Sequence, residues 1–418
     1  MDAISYSLAA KQEKRIKRFI ANPDSDAGIV TIPKVIPSGE TITIPEGRLA
    51  ILPNVQVDGE LNINGEVFVP SGANFSDLGN QISLKTGFKN RIINGDFSVW
   101  QRGTSFPVPG VTFGYTADRM KTANGTDGKF TVSKSSFLNK NSIKFNIDTP
   151  PSDLSSKKDL DGLLYRFEGH HLYDLAINHK NITISFWFNS NVIGKYSISL
   201  TNYTDSSKAQ SYVTTFNYKT ANIPQKIEVT IPLNADWTVL NNDNKTSFDL
   251  FIGMINQGKF VASKTDTWIS GDYTTAPSVV NWGAKQNNFF EIAELQLEEG
   301  DVATKFEYVP YDIQLMRCMR YCEVIEKGIT TSLVNGENAN SWGTSFISFK
   351  IKKRVTPSVN SVNFMFGTQN LGTQNSSYQM VSNPTINGVY FEIKNGPDHY
   401  QDADVGSSLD PIIADAEI

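Results

Sequence analysis

Short runs of alternating hydrophobic and polar residues recur along most of the 418-residue chain. In NITISFWFNS (181–190), Ile182, Ile184, Phe186 and Phe188 share one face, while Thr183, Ser185, Trp187 and Asn189 share the other. This is the period of a half-buried β-strand. Lys195–Leu200, Lys226–Leu233 and Ser247–Gly253 alternate likewise. In NNFFEIAELQLEEG, Phe289, Glu291, Ala293, Leu295 and Leu297 oppose Phe290, Ile292, Glu294 and Gln296. Both faces are partly apolar, as a central strand requires. Asn94-Gly95-Asp96 is a turn signal, and the Phe97, Val99 and Trp100 that follow have strand-like composition. Short strands with turn signals between them predict an antiparallel β-sandwich over residues 89–310.

Before this unit the pattern differs. Ile4, Leu8, Ile16, Phe19 and Ile20 recur at helical spacing and Pro23 stops them, which predicts an attachment or oligomerisation helix over residues 1–22. Its basic residues, Lys11, Lys14, Arg15, Lys17 and Arg18, read as a solvated face. Residues 23–88 read as a β stalk of short strands punctuated by prolines. Within it Val57-Asp58-Gly59-Glu60-Leu61 returns as Ile63-Asn64-Gly65-Glu66-Val67. Asp-Gly and Asn-Gly signal hairpins, and a six-residue solenoid rung fits the period as well. Such strands are too short to bury a core within one chain, so stacking on copies of itself is expected.

Beyond Pro310, Leu315, Cys318, Cys322 and Ile325 are spaced 3-4-3, the seam of a short coiled coil in a connecting helix over 311–327. Residues 328–418 complete the chain as a β tip domain. The expected fold class is mainly β: helix, stalk, sandwich, short coiled coil and terminal β domain, in an elongated homotrimer.

Composition supports strands and turns over helices, with 25 Phe, 15 Tyr, 6 Trp and 30 Gly. A formal charge of -5 offers no general attraction for nucleic acid, and no apolar run is long enough to predict membrane insertion. Two cysteines exclude a disulfide-stapled scaffold. Cys318 and Cys322, four apart on a helix, are poorly placed to bridge and read as packed thiols.

NRIINGDFSVWQRG, YTADRM, TISFWF, ELQLEEGDVATKFEYVPY and MRCMRYC occur in that order, followed by SFISFKIKKRVTPSV and IIADAEI. Together they resemble bacteriophage tail-fibre and virion adhesin proteins built around a jelly roll similar to carbohydrate-binding modules. Met120 and Cys322 stand where the family pattern commonly has aromatic residues. The resemblance implies a virion protein assembled in the host cytoplasm, docked to other virion proteins through residues 1–88 and bound to bacterial surface polysaccharide. It also implies a structural calcium between first and last strands, for which Asp96 and Glu291 (or Glu294) are the candidates.

No motif for hydrolysis, phosphate binding or dinucleotide binding is present, and His170, His171 and His179 lack metalloprotease spacing. No catalytic residue is assigned. Sugars stack on exposed aromatics flanked by amides and hydroxyls. The candidates are Trp187 on the polar side of its strand and, in the terminal segment, Trp342, Tyr378 and Tyr390. The polar loop 366–379, which repeats Gly-Thr-Gln-Asn, is the expected place of host recognition. The leading expectation is a non-catalytic, multivalent fibre binding glycan. A structural virion component that binds protein and a capsule depolymerase are the alternatives.

Overall fold

The computed structural model describes residues 88–152, 161–233, 240–253, 259–326, 346–360, 383–391 and 411–417, with the backbone of strands elsewhere in 29–68 and 330–408. The helix expected over 1–22 and the loop at 368–375 lie outside the described residues. The chain divides into two compact units, Met1–Gly87 and Phe88–Ile418.

Seven strands are described in the first unit: β1 (Ile29–Val30), β2 (Val35–Ile36), β3 (Thr41–Ile44), β4 (Leu49–Ile51), β5 (Gln56–Val57), β6 (Glu60–Ile63) and β7 (Glu66–Phe68). They form sheets β1-β4-β7, β2-β5 and β3-β6, all parallel. Each strand therefore pairs with the one three places later, the course of a three-sided solenoid. Among the described strands the expected hairpins are absent: β5, β6 and β7 lie in three different sheets. The six-residue repeat is one side of a turn, not a whole rung. Rungs run from Ile29 to Leu49, Val35 to Gln56 and Thr41 to Glu60. Ladder partners come from within one chain, so backbone pairing does not require copies.

The second unit is a sandwich of two antiparallel sheets. Its strands are β8 (Ser105–Val108), β9 (Thr112–Tyr115), β10 (Met120–Asn124), β11 (Lys129–Phe137), β12 (Lys140–Thr149), β13 (Gly162–Glu168), β14 (Asn181–Ser190), β15 (Gly194–Asn202), β16 (Gln210–Tyr218), β17 (Gln225–Pro232), β18 (Thr246–Gly253), β19 (Trp268–Ser270) and β20 (Phe289–Glu299). One sheet has the order β19-β16-β15-β18-β13-β10-β9 and the other β17-β14-β20-β12-β11-β8. Ile182, Ile184, Phe186 and Phe188 of β14 meet Tyr196, Ile198 and Leu200 of β15 in one core, as the alternation predicts.

Two local expectations fail for physical reasons. Residues 97–100 form no strand: Asn94 closes a tight turn, its side chain bonding Val99 N, Val99 O and Asp118 O at 2.9–3.0 Å. In β20 both faces looked apolar because the strand changes phase. The register against β14 shifts between Ser185 and Trp187, and Glu294 takes φ 52°. The bulge turns Phe290, Ile292, Leu295 and Leu297 all to the core and sets Glu291, Gln296 and Glu298 on the other side of the sheet, buried in polar contacts.

The expected coiled-coil seam is also corrected. Helix α1 (Gly169–Ile177) packs on the sandwich, and helix α2 (Tyr311–Met319) ends three residues before Cys322. Cys322 and Ile325 lie on strand β21 (Cys322–Ile325), so no single helix carries the heptad. Cys318 and Leu315 pack intramolecularly with Ile93, Val99 and Tyr321, and both cysteines are free and buried. Ten further strands follow: β22 (Thr330–Ser332), β23 (Val334–Asn335), β24 (Ser341–Ser348), β25 (Ser358–Val359), β26 (Asn363–Gly367), β27 (Ser376–Gln379), β28 (Val381–Pro384), β29 (Gly388–Gly396), β30 (Val405–Ser408) and β31 (Ile412–Asp415). They make sheets β21-β31-β25, β22-β30-β26-β27 and β23-β24-β29-β28.

The end of the terminal segment is sewn to the sandwich by a buried polar joint. Arg119 pairs with Glu417, and its guanidinium lies 3.7 Å from the Tyr321 ring centroid and 5.2 Å from that of Tyr165. Gln101 bonds Asp118 and the Cys322 carbonyl, and Arg102 reaches Asp415 at 3.0 Å. The segments NGDFSVWQRG, ADRM, MRYC and IIADAEI, far apart in the chain, meet here. That meeting gives the ordered set of motifs a structural cause.

Beside the joint, the His171 ring packs on Phe167, its Nε2 3.4 Å from the Tyr321 hydroxyl, and its Nδ1 is buried without a partner. Burial, then the charges of Arg119, His170, Arg317 and Arg320, hold this imidazole well below its usual range. Below a pH of about 6.5 the unfolded chain takes up a proton that folded His171 refuses, so the site loses stability as pH falls. Urea denaturation at steps from pH 7.5 to 5.5 should show the slope reduced in His171→Phe, by up to roughly 1.4 kcal/mol per pH unit. Identical slopes in both proteins would discount the buried imidazole.

Candidate functional site

The outward side of the seven-stranded sheet follows from register. Tyr196, Ile198 and Leu200 point into the core, so Ser197, Ser199 and Thr201 point out. Ser199 pairs with Val213 and Phe251, Phe251 with Leu164, Leu164 with Lys121, and Lys121 with Tyr115. One step along, Thr201 pairs with Asp249 and Asp249 with Arg166.

Polar side chains cross this face from β9 to the loop after β19. Arg166 grips Asp249 with two hydrogen bonds, Nε–Oδ1 at 2.7 Å and Nη2–Oδ2 at 2.6 Å. Lys121 stands beside this pair with its ammonium 5.5 Å from the Tyr115 ring centroid, and Arg102 lies 5.3 Å from the same centroid. Beyond Asp249, Tyr203 bonds Asp272, whose Oδ1 is buried without a partner. The Arg166 side chain keeps a quarter of its surface exposed, and Phe113 at the edge is more than half exposed.

Electrostatics tie these groups together. Burial raises the Asp249 carboxyl, opposed by its bonds to Arg166 and by Lys121, while nearby Asp272 adds to the rise. Burial lowers the Lys121 ammonium, helped by Arg166 and opposed by Asp249. Burial and the bond to Asp272 raise the Tyr203 phenol. The loop that closes one side is held by its backbone: Ser211 Oγ donates to Gly271 O at 2.8 Å and accepts from Tyr273 N at 2.9 Å, and Ser197 Oγ meets Thr275 Oγ1 at 3.0 Å. Ser199 Oγ and Thr274 Oγ1 are buried there without partners. The arrangement offers donors, acceptors and ring faces side by side, which suits a ligand rich in hydroxyls.

The aromatic candidates are not brought together. Trp187 is half-buried on the outward side of the other sheet, between Lys226 of β17 and Ala293 of β20. Trp342 and Tyr378 lie on β24 and β27, with side chains outside the described residues. Tyr390 on β29 is 48% exposed. Trp282 is fully buried and Trp268 donates to Pro232 O at 2.6 Å, so both are framework.

The proposed calcium pair is also separated. Gly95 O accepts from Leu295 N, which sets Asp96 level with Leu295 and four positions from Glu291, roughly 10–13 Å along a strand. Asp96 instead accepts from Ser98 Oγ at 3.0 Å and Gln314 at 3.4 Å. Glu291 accepts from Ser135 at 2.9 Å and faces Lys144, while Glu294 binds Lys140 and Tyr308. Among the described residues no group of three or more His, Cys, Asp or Glu could hold a metal.

Sequence reasoning missed Arg166, Asp249, Tyr203 and Asp272. A signal existed for two of them: GLLYRFE and TSFDLFIG each carry a charge within an apolar strand. Such a charge is kept only where it has a partner.

No family model matches the chain, and no curated protein does. Solved structures similar to it include the CBM22-2 xylan-binding domain from Paenibacillus barcinonensis Xyn10C, at 15% identity and TM-score 0.25 over 44% of this chain and 92% of that one. A family 11 carbohydrate-binding module of Clostridium thermocellum aligns at 12% and 0.26, over 51% of this chain and 97% of the module. The enzymatically active domain of bacteriophage CBA120 tailspike protein 4 aligns at 9% and 0.26, over 65% and 37%.

Proposed function

We propose that this protein is a non-catalytic phage tail-fibre or adhesin protein that binds host surface glycan on the outward face of its seven-stranded sheet. The observation that carries this reading is the row Tyr115, Lys121, Arg166–Asp249, Tyr203–Asp272 across four strands and two loops. A sugar presents hydroxyls as donors and acceptors and its ring as an apolar face, and each has a counterpart in that row. Asp249 is held in both directions by Arg166, which fits a carboxylate that orients a ligand better than one that moves protons. In this reading residues 1–88 attach the protein to other virion proteins, and three chains act together.

The test uses the full chain on an array of bacterial polysaccharides. Single sites of this kind bind in the millimolar to high micromolar range, and three on one particle raise avidity by roughly 10² to 10⁴. Arg166→Ala should cost at least tenfold in binding. Retained binding in that variant would move the site elsewhere. Release of reducing ends from bound polysaccharide would make the protein a depolymerase, and a monomeric mass by light scattering would remove the trimer.

A further inference from the structure

Among the described residues of the terminal segment, two aromatic rings are exposed side by side. Phe346 of β24 and Tyr390 of β29 are direct cross-strand partners, 46% and 48% exposed, with ring centroids 4.4 Å apart and planes 37° from parallel. Tyr390 pairs on its other side with Asn383 of β28, which is exposed. The opposite face of β29 carries buried Val389 and Phe391, so Tyr390 is not turned outward for lack of a core.

The platform is also fixed in place. Gly388 lies one step along β29 on the same side, opposite Ser348. A methyl group there would collide with the Phe346 ring and the Ile347 carbonyl, so the glycine is what lets the ring lie over the strand. The turn before it is clamped: Thr385 N donates to Gly388 O at 2.8 Å, and Thr385 Oγ1 accepts from Asn387 N and Gly388 N at 3.2 Å. Phe349 N and Lys353 N donate to Asn387 O and Ile386 O. Two rings are thus presented to water in a rigid frame.

We propose that Phe346 and Tyr390 form a second sugar subsite, one that stacks the apolar face of a pyranose ring while Asn383 bonds its hydroxyls. The size of the ring pair favours a small occupant over a protein. Two half-exposed rings show about 200 Å² together, whereas a stable protein interface needs roughly 800 Å² from each partner. Among the described residues around them, Ser348, Lys350, Asn383, Thr385 and Asn387 are exposed and polar. One sugar ring matches the island in size and in chemistry. The subsite rests on the glycan reading above but lies on a different sheet, so one chain would hold a polysaccharide at two separated points.

Saturation-transfer NMR on the full chain, with methyl β-glucoside and methyl β-galactoside as probes, tests this. Transfer to protons of the apolar ring face is expected from the wild type and from Arg166→Ala. Tyr390→Phe should keep the signal, Tyr390→Ala should weaken binding roughly tenfold, and Phe346→Ala/Tyr390→Ala should abolish transfer in the Arg166→Ala background. These residues are exposed, so melting temperature should not change. Transfer that the double substitution leaves undiminished in the Arg166→Ala background overturns the subsite alone. No transfer from the wild type overturns both glycan readings. A change of mass in the double variant overturns the subsite in favour of a contact between copies.

Discussion

Arg119→Met should destabilise the unit Phe88–Ile418 by about 3–5 kcal/mol, because it removes one partner of a buried ion pair. Arg119 is fully enclosed, pairs with nearly buried Glu417, donates to Arg166 O at 2.6 Å and lies over two tyrosine rings. Met restores much of the volume but leaves the Glu417 carboxylate with Arg102 at 3.6 Å as its remaining cation in the joint. Arg119→Lys keeps the charge and loses the fork, so it should fall between the two. Urea denaturation measures both, and limited proteolysis should show β31 released first. A loss under 1 kcal/mol would mean that the joint does not hold the terminal segment.

Phe188→Ala should cost about as much, 3–5 kcal/mol, through a cavity instead of a charge. The ring is fully buried within 4.8–5.3 Å of Tyr196, Phe216 and Tyr218, and stacks at 6.0 Å on Phe290. It therefore joins the two sheets, and rings locked on several sides cannot close the void. Phe188→Leu should recover more than half of the loss. If chemical denaturation finds Ala and Leu equivalent, the core is looser there than its geometry implies.

These sites differ in how far the sequence disclosed them. Phe188 was legible at once, because period-two alternation is a local property of a strand with one wet face. Tyr390 was legible as an exposed candidate in polar surroundings, but its partner Phe346 was not, since 44 residues separate them and only strand pairing makes them neighbours. Arg166 and Asp249 were each visible as a charge in an apolar run, yet nothing local says that the two runs lie side by side. The β20 pattern misled because a bulge reverses parity in mid-strand. The 3-4-3 seam misled because a helix of nine residues ends inside it and the seam's last two positions, Cys322 and Ile325, lie on a strand.

Local residue pattern was enough for the class of structure: a mainly β chain with a distinct unit beginning near Phe88, an alternating core and free, packed cysteines. Those properties follow from nearest-neighbour periodicity and from residue chemistry, which need no knowledge of the distant chain. Only the tertiary structure decided which strands are neighbours, and with them the parallel solenoid course of residues 29–68, the joint at Arg119, the row on the seven-stranded sheet and the ring pair at Phe346 and Tyr390. Each of these is made by side chains or strands brought together across the fold, and register between distant strands is set by the balance of the whole core.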